Sequence, residues 1–219
     1  MGYSYGPSIV KDGMVLCLDA ANRKSYAGSG TSWVDLSGSG NNGTLVNGPT
    51  FSSTNGGNII FDGSNDHATV TGTPLNVNSY TKQVWFMLDR YDLNNNIISS
   101  GTGHFMFFGG TNKLKNGHSN WSNYDVYPSN ASFSLSTWYN VCLTFNTTDG
   151  FVLYVNGQRD SVYTAQKTAA PSGTVQIACF NAGQNLLGGK IAFVALYNRT
   201  LTESESIQNY HATKGRFGL

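Results

Sequence analysis

The segment from Trp138 to Asp160 reads WYNVCLTFNTTDGFVLYVNGQRD, and its reading decides the fold. Trp138 to Phe145 is aromatic and β-branched, which suits a pleated, half-buried surface. It runs into Asn146-Thr147-Thr148-Asp149-Gly150. Asp149-Gly150 signals a turn, because such turns need φ > 0 and glycine supplies it without steric penalty. Phe151 to Val155 predicts a second strand, and Asn156-Gly157 a second tight turn into Gln158-Arg159-Asp160. Three antiparallel segments are thus written locally. A hairpin alone is marginal in water, so this one belongs to a larger sheet.

Outward from that segment, composition agrees. A chain of 219 residues can bury a core as one all-β domain, and its 26 glycines imply many turns between short strands. Charged residues make up 11% and the net charge is +1, which leaves little attraction for nucleic acid or an anionic membrane. No apolar run approaches the roughly 20 residues needed to span a bilayer. Met1 to Pro7 lacks a basic n-region and an apolar h-region, so no cleaved signal peptide is expected, and the myristoylation pattern fails at position 6. Cys17, Cys142 and Cys179 are odd in number and sit in apolar runs, so they read as buried free thiols. Nothing in the Cys and His spacing points to zinc. The Asn-x-Ser/Thr triplets at Asn42, Asn120, Asn130, Asn146 and Asn198 are taken as chance in so Asn-rich a chain.

In chain order, residues 1–8 read as an N-terminal arm and residues 9–219 as a single domain. Met14 to Leu18 predicts a short buried strand. Ser25 to Gly48 is rich in Gly, Ser and Asn and reads as a long loop, pinned by Trp33, Val34, Leu36, Leu45 and Val46. Strands follow at 58–61, 68–70, 80–88, 97–100 and 104–108, and at 174–179 and 189–197. Residues 109–131 are the least regular stretch. Thr202-Glu203-Ser204-Glu205 fits a capping box at the start of a C-terminal helix, with Ile207 and Tyr210 on one face.

Several of these stretches resemble one family. Trp33, Asp35-Leu36-Ser37-Gly38, Asn41-Asn42-Gly43, Phe61-Asp62-Gly63 with Asp66, the central hairpin, and the ending Arg216-Phe217-Gly218-Leu219 resemble the laminin-G-like domains of tailed-bacteriophage structural proteins. These belong to the concanavalin A-like lectin/glucanase superfamily. The resemblance covers most of the chain. It implies a two-sheet antiparallel jelly-roll sandwich with a short C-terminal helix.

The superfamily includes glycoside hydrolases, and retaining members would be expected to carry a close Glu pair on one strand. This chain has two Glu, Glu203 and Glu205, both at the helix start. Asp62, Asp66, Asp89, Asp92 and Asp125 fall in predicted turns without a pairing pattern, and His67, His104, His118 and His211 are scattered. No G-x-S-x-G, HExxH or phosphate loop is present. The expectation is therefore a protein that is not an enzyme.

Lectin-type jelly rolls often bind calcium through loop oxygens, and Ca²⁺ takes six to eight of them. Asp62, Asn65 and Asp66 form an oxygen-rich turn that suits calcium by residue type, and suits an Asx turn equally. A sugar presents an apolar face and a polar rim, so a sugar site pairs aromatic rings with amides and carboxylates. Trp121, Tyr124 and Tyr127 beside Asn120, Asn123 and Asp125 offer that mixture; the other reading packs these rings onto the sheet. Trp33, Trp85 and Trp138 read as core. What the resemblance implies is a binding or decoration module of a phage virion, assembled in the bacterial host cytoplasm. Its partners would be glycans, other virion proteins and further copies of itself, with neither nucleic acid nor membrane among them. The alternative is a purely structural virion protein.

Overall fold

A computed structural model describes residues 7–219 except 73, 76–77, 93–94, 102–103, 120–123, 165–172 and 182, with backbone alone at 119, 124 and 125. The described chain runs through β1 (Met14–Asp19), β2 (Ser32–Trp33), β3 (Gly43–Val46), β4 (Thr50–Ser52), β5 (Asn58–Asp62), β6 (His67–Val70), β7 (Ser79–Leu88), β8 (Asn95–Asn96) and β9 (Ile98–Ser100). It continues with β10 (His104–Phe108), β11 (Leu114–Ser119), β12 (Tyr124–Pro128), β13 (Trp138–Asn146), β14 (Gly150–Val155), β15 (Gln158–Tyr163), β16 (Val175–Ile177) and β17 (Gly188–Tyr197), and closes with helix α1 (Glu203–Thr213). The first sheet has the order β15-β14-β13-β7-β17-β5-β4, with β1 also on β17. The second has the order β12-β11-β10-β9-β16-β6-β3-β2, with β8 on β10. The architecture is the expected all-β sandwich.

The central hairpin forms where the sequence places it. Val141 pairs with Val155 and Asn146 with Gly150, and Val155 pairs with Gln158 across Asn156-Gly157. Asn156 and Gly157 both have positive φ, at 48° and 74°, as a two-residue turn of this hand requires. At the other end Asn146 Oδ1 accepts the N–H groups of Thr148 and Asp149, so an Asx turn closes on Gly150.

Two predicted loops contain strands. Within 25–48, Trp33 pairs with Gly43, and Leu45 pairs with Ala68, extending the second sheet. Asp35 holds this segment: its carboxylate accepts N–H groups from Cys17, Ser37 and Asn41. Within 109–131, β11 and β12 pair from Lys115–Pro128 to Ser119–Tyr124. Their polar residues conceal them, because register with β10 rather than side-chain hydrophobicity specifies these strands.

The sandwich interior is one apolar cluster that includes Leu16, Trp33, Phe61, Val84, Phe86, Phe108, Leu143 and Ile191. A second cluster lies on the far side of the first sheet, around Trp85, Phe193 and Tyr197, and α1 and the residues after it cover it. Trp85 stacks on Phe217 with ring centroids 3.9 Å apart and donates Nε1–H to Thr213 Oγ1 at 2.8 Å. The capping box forms as read, with Thr202 and Glu205 exchanging hydrogen bonds. Arg199 also binds Glu205 through two guanidinium contacts and holds that carboxyl down at about 2.

Helix α1 does not dock by an apolar stripe. Its buried residues are Ser206 and Asn209, while Ile207 is half-buried. Asn209 donates Nδ2–H to Gln83 Oε1 and to Tyr197 Oη, at 2.8 and 2.9 Å, and its Oδ1 accepts from Val10 N–H at 2.7 Å. One amide thereby joins β7, β17, the helix and the N-terminal segment. Removing it strands several buried polar groups, each costing about 1–3 kcal/mol. Asn209→Leu is expected to destabilise the fold by about 2–4 kcal/mol in urea unfolding, whereas the half-buried Ile207→Ala is expected to cost about 1 kcal/mol.

Candidate functional site

Side chains alternate across each strand of the second sheet, so β10 splits cleanly. Met106 and Phe108 join the sandwich interior, while Phe105 and Phe107 point away from it. Antiparallel partners share a face, which puts Gly117 and Val126 beside Phe105, and Lys115 beside Phe107. The same outward face carries Thr44, Thr69, Gln176 and Ser99 in one row across β3, β6, β16 and β9.

The segment after β16 builds onto this face. Phe180 and Gln184 exchange two backbone hydrogen bonds, at 2.6 and 2.8 Å. Ala178, Asn181 and Asn185 all have positive φ, at 63°, 42° and 51°. Asn tolerates that region through local hydrogen bonding, but alanine at such an angle is strained. Two contacts hold the strained residue's neighbour: Ser99 Oγ donates to Cys179 O at 2.8 Å, and Cys179 Sγ donates to Gln176 Oε1 at 3.2 Å. The result places the Phe180 ring 5.4 Å from Phe105, which lies 6.3 Å from Phe107. Phe107 and Phe180 remain half-buried, and Lys115 Nζ sits 5.9 Å from the Phe107 ring centroid. Aromatic faces, a cation, the Gln176 amide and the Thr69 hydroxyl therefore share one outward surface.

The residues singled out in the sequence are placed as follows. Asn120, Trp121 and Asn123 lie outside the described residues, and Tyr124 and Asp125 are described as backbone of β12, opposite Ser119 and His118. Tyr127 stands opposite Asn116, stacks on Tyr163 at 4.5 Å and packs against the interior cluster. Asp62 Oδ1 accepts the N–H groups of Ser64, Asn65 and Asp66, and Asp66 Oδ2 accepts Asp62 N–H. Those N–H groups, first among them that of Ser64, lower the Asp62 carboxyl, while burial raises that of Asp66. The Asn65 carbonyl accepts from Asn47 Nδ2, and the Asp62 carbonyl from Arg90. Asp62 Oδ1, Asp66 Oδ2 and the carbonyls of Asp62 and Asn65 thus face N–H donors. As arranged, the segment is an Asx turn closed on the Asp62 carboxylate. Among the described residues no cluster of three or more His, Cys, Asp or Glu side chains is placed to hold a metal.

Phe105, Phe107, Phe180 and Lys115 escaped the sequence reading. A signal was available in His104-Phe105-Met106-Phe107-Phe108. A strand with one face in a core is expected to alternate, and here both faces are aromatic. A concavity of about 480 Å³ lies on the first sheet between Ile9, Met14, Cys17, Leu36 and Phe193. Its Asp19 is tied to Arg216 at 2.8 Å, and burial pushes the Cys17 thiol up to about 12, so neither is available for chemistry.

The family model Laminin_G_3, of the concanavalin A-like lectin/glucanases superfamily, matches residues 62–205. The chain belongs to this family. The laminin-G-like domain superimposes on the receptor-binding domain of botulinum neurotoxin type G with TM-score 0.70 and 16% identity, over 90% of this chain and 50% of that one. It superimposes on the binding domain of botulinum neurotoxin DC in complex with SialylT with TM-score 0.73 and 14% identity, over 93% and 52%. Domain 4 of AbnA, a GH43 extracellular arabinanase from Geobacillus stearothermophilus solved with arabinotriose, gives 0.71 and 13%, over 90% and 98%. The domain spans about half the length of the neurotoxin chains it matches. Trypanosoma rangeli sialidase matches as well, with TM-score 0.70 and 15% identity over 96% of this chain and 35% of that one. These likenesses establish the lectin-like fold. A search of curated proteins finds no match.

The turn at Asp62 yields a direct test. Asp62→Ala is expected to lower Tm by roughly 2–4 °C, because turn N–H groups lose their acceptor. Asp62→Asn is expected to keep most of the stability. Differential scanning calorimetry with 5-fold changes in calcium or with chelator is expected to leave the ranking unchanged.

Proposed function

We propose that this laminin-G-like domain is a non-catalytic glycan-binding module carried on a bacteriophage particle. The observation that carries the glycan reading is the outward aromatic surface of Phe107 and Phe180, with Gln176, Thr69 and Lys115 around it, on a lectin-like fold. A pyranose ring stacks its apolar face on such rings and turns its hydroxyls to the amide, hydroxyl and ammonium groups. Asn120, Trp121 and Asn123, which lie outside the described residues, are kept with Tyr124 and Asp125 as further candidates by residue type alone. Glu203 and Glu205 serve the helix cap, in keeping with a role without catalysis.

The virion setting rests on the resemblance of the Trp33 to Gly43, Phe61 to Asp66 and Arg216 to Leu219 stretches to phage structural proteins. In that setting the protein assembles in the bacterial cytoplasm and meets other virion proteins, as a monomer or with further copies of itself. A purely structural role is the second reading. It is favoured by the anchoring of Ser8 and Val10 on α1, where Gln208 donates to Ser8 O and Asn209 Oδ1 accepts from Val10 N–H, both at 2.7 Å.

The deciding assay is glycan-array binding of the purified protein, with calcium and with chelator. Specific binding is expected, with Phe107→Ala and Trp121→Ala each weakening it at least 10-fold while Tm stays within about 3 °C of wild type. Binding lost with chelator would bring calcium into the site. No binding under either condition would leave the structural role, tested by whether deletion of residues 1–8 releases the protein from particles.

A further inference from the structure

One inward-facing row of the first sheet crosses five strands by register: Leu16, Leu196, Lys82, Leu143 and Leu153. Four are leucines of the interior cluster. The fifth, at the centre, is a lysine with no solvent exposure. The preceding row, Tyr80-Phe145-Phe151, packs against His104 and His118 of the second sheet. Tyr80 Oη and His118 Nε2 lie 2.6 Å apart. The next inward row of the second sheet is Met106-Asn116-Tyr127. Further along, Phe86 meets Phe108 at 5.8 Å and closes the layer. The rows of Lys82 and Val84 therefore lie opposite the row of Asn116, between two aromatic layers.

Lys82 Nζ and Asn116 Oδ1 are both buried, and neither has a hydrogen-bond partner among the described residues. One is a donor and the other an acceptor. Left unmade, each would cost about 1–3 kcal/mol. A single water between them would satisfy both, donating to the amide oxygen and bonding the amine, as buried waters commonly do between such groups. We propose that Lys82 and Asn116 form an internal site for one water molecule between the sheets, and that this wet layer weakens the fold when the amine takes a proton. The inference rests on packing alone and stands whether or not the outward face binds glycans.

The surroundings make protonation costly. On β7 the Tyr80 ring centroid is 5.4 Å from Nζ. His104 and His118 face the layer from β10 and β11, and Asp125 occupies the register position opposite His118 on β12. On β17, β13 and β14 the neighbours are Leu196, Leu143 and Leu153. Among the described side chains, no carboxylate faces Lys82, and burial lowers the amine from 10.5 to about 7. Above pH 10.5 the amine is neutral in both folded and unfolded chains. Between 10.5 and 7 the unfolded chain binds a proton that the folded chain refuses, so stability falls as pH falls. Below 7 both bind it and the contribution is constant.

The test is equilibrium unfolding at pH 7.0 and 9.5 of wild type, Lys82→Met, Asn116→Leu and the double variant, with a crystal structure grown near pH 9. The wild-type folding constant is expected to rise on the order of 100-fold more over this interval than that of Lys82→Met. Lys82→Met is expected to be the more stable chain at pH 7. Asn116→Leu alone is expected to destabilise, and the double variant to recover. Equal pH slopes in wild type and Lys82→Met would overturn the protonation half, even if Met at this position merely repacks poorly. Lys82→Leu repeats that comparison with a smaller side chain. Density within about 3 Å of both Lys82 Nζ and Asn116 Oδ1 is expected for the water. A direct contact between the two groups, or dry packing, would overturn the site.

Discussion

Strand β7 is covered on both faces, and the rest of the structure is arranged to make that so. Tyr80, Val84, Phe86 and Leu88 enter the sandwich, while Trp85 faces the other way. A sandwich by itself covers only one face of each sheet. The opposite face of the first sheet therefore needs a lid, and α1, the turn at Lys214–Phe217 and the segment from Ile9 to Met14 supply it. Burying an indole of this size against Phe217 and Tyr210 contributes about 2–3 kcal/mol.

The lid is fastened by polar contacts. Asn209, Ser206 and Thr213 meet Gln83, Tyr197, Cys142 and Trp85 with hydrogen bonds that have specific directions. Apolar docking would tolerate sliding of the helix over the sheet. A buried amide with three partners fixes one position, because any displacement leaves donors and acceptors unmade. Val10 and the C-terminal helix are thereby tied to the centre of the first sheet, and among the described residues no helix covers the second sheet's outward face.

That division gives the two sheets different tasks. The first carries the lid, and the second presents Phe107, Phe180 and Lys115 outward while resting on the layer of Met106 and Asn116. The same two strands, β10 and β11, thus connect the candidate binding surface to the polar pair inside. Strain at Ala178 is held by Ser99 and Cys179 contacts, which is how a sheet can afford a residue with φ of 63° beside its surface.

The sequence alone determined what is local. Asn156-Gly157 specifies its turn because only small or amide-bearing residues reach positive φ cheaply, and Thr202 with Glu205 specifies the helix start because both partners lie within one turn. The laminin-G-like fold was legible for a related reason, since its distinctive residues, such as Asp35 binding Ser37 and Asn41, act over short spans. The tertiary structure decided what depends on pairing across the chain. β2, β3, β11 and β12 exist through their register with partner strands rather than through an apolar face of their own, so their polar residues concealed them. That Phe105 and Phe107 point outward while Tyr127 points inward also followed from register, as a shift of one residue reverses every side chain. Lys82 in YTKQVWFML was illegible for the same reason. A strand covered on both sides has no polar face to mark, and only the neighbouring strands revealed that this lysine occupies a row of leucines.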